Sequence, residues 1–107
     1  MIKYSIDNIH IKGPTAAQIP GLHCKLSGMI TEADHKSWTA ADLRPYVQHV
    51  LQLFGPERLM FGSDWPVCRL AGSWKQVLAA FTQACGPLPQ TEREKILGGV
   101  AVKFYGL

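Results

Sequence analysis

The residues able to do chemistry gather in two short stretches. Residues 58–69 read R-L-M-F-G-S-D-W-P-V-C-R. There an apolar run, Leu59-Met60-Phe61, passes through Gly62 and Ser63 and delivers a carboxylate, Asp64, against Trp65 and Pro66. Residues 22–28, L-H-C-K-L-S-G, set Leu22, Cys24 and Leu26 in alternation with His23, Lys25 and Ser27. A carboxylate within hydrogen-bond reach of a water can take its proton as that water attacks a carbonyl carbon. Where a divalent metal such as zinc is used, the same carboxylate can ligate the ion or orient its hydroxide. Lys25 and Ser27, on the face alternate to Cys24 and Leu26, can reach toward a substrate's oxygens. A lysine in an ion pair and a serine that shapes a turn account for the same two residues without chemistry. An Asp after a strand is also an ordinary turn former, so S-D-W-P alone leaves Asp64 open between the two roles.

The remaining candidates carry less. His10, His23, His35 and His49 are not spaced as metal ligands, and each reads as a surface or half-buried histidine. Cys24, Cys68 and Cys85 are odd in number and widely spaced, with no C-x-x-C pair. That argues against a disulfide scaffold, a zinc knuckle or a small redox protein, and for a reducing compartment. Of the 107 residues 47% are hydrophobic and 18% charged, the composition of a chain that packs a core. The net charge of +3 comes from basic residues scattered along the chain, with no basic run suited to nucleic acid. No stretch reaches the apolar length of a membrane span, and the charged start M-I-K-Y-S-I-D-N lacks a leader's apolar run. The sequence therefore predicts a soluble, cytoplasmic protein that engages neither membrane nor nucleic acid.

Elements that would position Asp64 follow from periodicity. Residues 4–11, 22–28 and 58–63 read as strands. Asp42 is expected to cap a helix running to Phe54, because a start at Thr39 would place Pro45 inside it. Leu43, Val47, Val50, Leu51 and Phe54 then share one face, and Gly55-Pro56 ends the helix. A second helix opens at Ser73, with Trp74, Val77, Leu78, Phe81 and Ala84 on one face. A capping box at Thr91 to Glu94 starts a last helix that Gly98-Gly99 is expected to interrupt. Such alternation predicts an α/β protein with a parallel sheet and helices outside it.

C-K-L-S-G-M at 24–29, F-G-P-E-R-L-M-F-G-S-D-W-P-V-C at 54–68 and the closing G-G-V-A-V-K-F-Y-G-L resemble the amidohydrolase-related family, and within it the sugar-lactone and pyrone-dicarboxylate hydrolase branch. The resemblance implies a metal-dependent-hydrolase-like (β/α)8 TIM barrel, of which the chain supplies the last two to three strands and their outer helices. It makes 22–28 the seventh strand and 59–64 the eighth. Asp64 then stands at the carboxyl end of the last strand, where such barrels place their chemistry. The resemblance gives Asp64 the role of activating water for attack on a lactone or related carboxylic ester, and of a metal ligand if a divalent ion is used. Trp65 and Pro66 are expected to stiffen the turn and shield it from bulk water. Residues 29–38 would form a loop over the mouth, with Trp38 either lining it or packed beneath it.

The same resemblance exposes departures. The family's H-x-H pair on its first strand has no match here, and its Asn near the end of the last helix is Val100. S-I-D-N-I-H-I-K-G-P only faintly resembles the family's D-H-x-x-K-P stretch, with His10 two residues late. Residues 1–21 therefore read as a divergent N-terminal segment ahead of a C-terminal barrel third at 22–107. The nine residues Gly13 to Gly21 that separate the first two expected strands are too few for a parallel crossover. Two functions stand beside each other: a lactone or ester hydrolase working through Asp64, or an inactive fragment or isoform acting as an interaction module. In the second, the exposed strands would pair with another copy or with the missing barrel part. A chain too short to close the barrel is expected to lack activity and a cooperative fold by itself.

Overall fold

The computed structural model describes residues 2–3 and 14–107. Three short strands, β1 (Ile2–Lys3), β2 (Cys24–Leu26) and β3 (Leu59–Phe61), form a parallel sheet in the order β1-β2-β3. The register of the second pair sets Cys24 beside Leu59, Lys25 beside Met60 and Leu26 beside Phe61. Backbone bonds extend it at both ends, from Cys24 N–H to the Arg58 carbonyl (2.8 Å) and from Gly62 N–H to the Leu26 carbonyl (2.9 Å). The first strand expected from sequence, 4–11, lies outside the described residues. The residues that pair with β2 are Ile2 and Lys3, so the connection runs from residue 4 to residue 23. That length, which includes a helical turn at 14–17, suffices for a parallel crossover.

Helices α1 (Met29–Glu32), α2 (Ala40–Phe54) and α3 (Trp74–Cys85) come next, with a 3-10 turn at Val67–Leu70 between β3 and α3. Side chains alternate across a strand, so Cys24, Leu26, Leu59 and Phe61 fall on one face. That face meets Leu43, Val47, Val50 and Phe54 of α2 and Val77, Ala80, Phe81 and Ala84 of α3 in one core. The rings of Phe61 and Phe81 lie 4.9 Å apart. Gln48 of α2 fixes the helix pair by donating its amide to the Ala84 and Cys85 carbonyls, two of the acceptors a helix end leaves open. The face foreseen for α2 holds; on α3 Val77, Phe81 and Ala84 are buried as foreseen, while Leu78 is only half-buried, outside the core, and Trp74 is 49% exposed.

Two helix starts differ from expectation. Helix α2 begins at Ala40, not after Asp42, and Pro45 lies inside it. Thr39 Oγ1 accepts from Asp42 N–H while the Asp42 carboxylate accepts from Thr39 N–H. These two bonds, and the four residues α2 buries, outweigh the hydrogen bond that Pro45 cannot donate. Ser73 and Gln76 close the same kind of box on α3. The C-terminal run starts one residue before Thr91, as α4 (Gln90–Glu94), without the expected box, since the Glu94 carboxylate accepts from the Gln90 amide instead. Gly98-Gly99 does not interrupt it. The backbone widens into a π turn at Lys95–Gly99 and continues as α5 (Val100–Tyr105), with Ile96 and Val100 buried. Among the described residues no helix is long and apolar enough to cross a membrane.

Leu59 is fully buried at the centre of the core. Leu59→Ala should lower unfolding free energy by roughly 2–5 kcal/mol through the cavity it leaves. The exposed Gln52→Ala should change it by less than about 0.5 kcal/mol. Urea titrations with circular dichroism as the readout compare the two.

Candidate active site at the carboxyl ends of the strands

Parallel strands in register end at the same level, so the segments after β2 and β3 leave the sheet side by side. Ser27-Gly28 come after one strand and Gly62-Ser63-Asp64 after the other. Gly62 explains how closely they meet. A Cβ added there would stand 2.7 Å from Lys25 Cε and 3.0 Å from both Cβ and Oγ of Ser27. The absence of a side chain at residue 62 lets the Lys25 stem and the Ser27 hydroxyl lean over this backbone. Ser27 is the one buried polar residue among those described. Lys25 and Ser27 thus converge, on the alternate face as expected, two residues before Asp64.

Asp64 is half-buried and has φ of 58°, in the left-handed region. Asp and Asn are among the few non-glycine residues that visit this region readily. Its carbonyl accepts from Cys68 N–H at 2.8 Å, which ties the turn to the 3-10 segment, and Ser63 Oγ accepts from Trp65 N–H at 3.3 Å. The Trp65–Pro66 bond is cis. Trp65 does not shield the site as expected, because it is 61% exposed on the outside of the turn.

Residues 29–38 are only in part the loop foreseen. They open with α1, whose Ile30 enters the core, and then turn on Asp34, whose carboxylate accepts from the N–H groups of Lys36 and Ser37. Those bonds hold the Asp34 carboxyl below the usual carboxylate range. Trp38 is half-buried and donates its indole N–H to the Ala71 carbonyl at 2.7 Å. Its ring also lies against Gly72. It therefore packs against the segment beyond the Asp64 turn. A cavity of about 20 Å³ lies between the strands and helices, lined by Ser27, Phe61, Gly62 and core residues. It has room for one water, but Asp64 is not on its wall.

Sequence reasoning passed over two features of the site. One is the need for glycine at 62, signalled by G-S-D directly after an apolar run. The other is the left-handed backbone of Asp64, for which Asp next to a turn is the only sign.

His23 lies at the opposite end of the sheet, its Nδ1 2.9 Å from the Gly21 carbonyl. His35 is exposed, His49 sits on α2, and His10 lies outside the described residues. Among the described residues no group of three or more His, Cys, Asp or Glu could hold a metal ion. Zinc takes three or four protein ligands, and Asp64 supplies at most one of them.

The three cysteines are buried and free. Burial pushes the Cys24 thiol up to about 12 and the Cys85 thiol up to about 11, the latter opposed by Arg93. Both stay protonated at neutral pH and lack the nucleophilic thiolate. Native protein at pH 8 should resist iodoacetamide, while urea-unfolded protein takes up three labels, as intact mass will read. Gly62→Ala should cost roughly 1–3 kcal/mol, since the new methyl meets Ser27 as well as the movable lysine tip. Adding Lys25→Ala should relieve only part of that loss in the same urea titration.

Comparison with known proteins bears on the family and the fold. The family model described as Amidohydrolase matches residues 13–107. An L-fucono-1,5-lactonase of Burkholderia multivorans is 46% identical over 96 residues, covering 85% of this chain and 32% of that protein. An L-rhamnono-gamma-lactonase of Scheffersomyces stipitis is 31% identical over 99 residues, covering 82% of this chain and 29% of its own length. A crystal structure of an amidohydrolase from Burkholderia multivorans with bound Zn superposes with a TM-score of 0.79 at 40% identity, covering 85% of this chain and 34% of that one. The chain thus spans about a third of the length of the curated relatives it matches, and that third is the C-terminal part of a TIM barrel. By sequence and by fold, this chain belongs to the amidohydrolase family.

Proposed function

We propose that the carboxyl-end site serves hydrolysis of a lactone, of the sugar-acid kind that the relatives' names specify, with Asp64 as the base that activates water. The observation that supports this reading is the position of Asp64 just beyond β3, two residues after the Gly62 backbone that Lys25 and Ser27 approach. Asp64 accepts a proton from water as its oxygen bonds to the lactone carbonyl carbon. Negative charge then grows on the former carbonyl oxygen, where the Lys25 ammonium and the Ser27 hydroxyl supply hydrogen bonds. Collapse of this intermediate breaks the ring C–O bond, and the departing alkoxide takes up the proton from Asp64. The product is the open-chain hydroxy acid. Trp38 serves this reaction by holding the Ala71 segment rather than by touching substrate.

A zinc ion, as in the structural relative, would polarise the carbonyl or supply a bound hydroxide. The described residues do not form a set that fits it, so the steps above run through this chain's own groups.

The exposed Leu97, Val102, Tyr105 and Leu107 of the C-terminal run favour a second reading. In it the site works only when these residues are covered by polypeptide supplying the preceding barrel strands.

Asp64→Asn keeps shape and tolerance for the left-handed backbone while removing the base. Lactone hydrolysis, read as acid release, should fall about 10²-fold or more. Equal rates for the two proteins would refute the role of Asp64. A rate at background for both that rises only on adding the preceding strands would select the second reading.

A further inference from the structure

At the other end of the sheet lies a cleft of about 500 Å³. His23, directly before β2, and Glu57, two residues before β3, form one wall, so the cleft opens at the amino ends of the strands, opposite Asp64. Lys95 of the π turn and Val100, Lys103 and Phe104 of α5 form the other. Its volume falls within the range of small-ligand sites.

The chemistry of the walls is uneven. The Phe104 ring packs on the His23 imidazole, with centroids 4.7 Å apart at an angle of 59°, and Val100 is buried beside them. This gives an apolar floor. Lys95 Nζ bonds to Glu57 Oε1 at 2.6 Å, which satisfies one ammonium and one carboxylate. Lys103 has no hydrogen bond or ion pair among the described residues, yet its charge is felt at Glu57. The Glu57 carboxyl is held below its usual range first by its bond to Lys95 and in smaller part by Lys103. Lys95 is offset by its bond to Glu57 and also feels the Glu92 carboxylate, so Lys103 is the cleft ammonium left without an ion pair among the described residues, above an apolar floor.

We propose that this amino-end cleft binds a small organic anion, with its carboxylate or phosphate group on Lys103 and its apolar body against Phe104 and Val100. The site is separate from the Asp64 end and does not rest on the hydrolase reading. The carboxylate and phosphate classes share the ammonium contact and differ in the charge they bring. Glu57 competes with the ligand for the lysines, so removing its charge strengthens the site.

Calorimetric titration of the 107-residue chain with benzoate and phenyl phosphate, using benzyl alcohol as the neutral control, tests this. Saturable binding of one or both anions, absent for the alcohol, is expected, and the ratio of the two affinities assigns the anion class. Lys103→Ala should weaken binding about tenfold, the loss of one charge-assisted hydrogen bond. Lys103→Arg should retain it, and Glu57→Gln should tighten it severalfold. Both residues are exposed, so unchanged far-UV circular dichroism is expected for every variant. Equal binding of benzyl alcohol, indifference to Lys103→Ala, or no saturation by either anion would overturn the proposal.

Discussion

The parallel pairing of β2 with β3, residue against residue from Cys24 to Phe61, is the constraint on which the rest of the molecule depends. It sorts the side chains of both strands by parity. Cys24, Leu26, Leu59 and Phe61 go to the helices and make the core, while Lys25, Ser27 and Gly62 go to the alternate face. A slip of one residue would exchange the two sets and place Lys25 against Val47 and Phe81, an uncompensated charge in an apolar layer. Core and candidate site are therefore two consequences of a single register.

Site and scaffold also meet at Gly62. Strand β3 ends in an apolar run because its helix-facing residues are buried, and it must then let Lys25 and Ser27 across the backbone. Only a residue without a side chain meets that demand. Beyond it, the chain turns through an Asp that tolerates a left-handed backbone, and Cys68 and the 3-10 segment hold that turn. Trp38 reaches from a distant loop to brace Ala71 and Gly72 on the far side of that segment. Rigid support behind a short turn is what precise placement of a side chain on it requires.

Much of this is legible in the sequence, and the parts that are not share a cause. The helix faces of α2 and α3 emerge from spacing, because burial acts on every third or fourth residue and leaves a periodic trace. The position of Asp64 emerges from its place after an apolar run and from G-S-D-W-P in its wider context. Helix starts mislead where two local rules compete: Pro45 argues for a late start, and the Thr39–Asp42 box for an early one. The box prevails because tertiary contacts of Leu43 and Val47 support it. Gly98-Gly99 reads locally as a break, yet neighbouring Ile96 and Val100 anchor both sides of the π turn to the body of the protein. The pairing of Ile2–Lys3 with β2 depends on partners far away in sequence and leaves almost no local mark. Trp65 illustrates the reverse error, a large apolar residue expected to cover a site and found facing outward.

Arg58 ties together parts that the sequence keeps far apart. Its guanidinium donates to the carbonyls of Ala17 and Ile19 on one side and of Leu53 and Phe54 on the other, and it lies 5.1 Å above the Phe54 ring. All four acceptors must be in position before this one planar cation can serve them. Each pair of bonds on its own would cost nearly the full entropy of fixing a long, many-jointed side chain, while the set shares that cost. The knot therefore behaves as an all-or-none latch: the crossover leading into β2 and the end of α2 are secured in the same event, and neither has a half-fastened state of comparable stability.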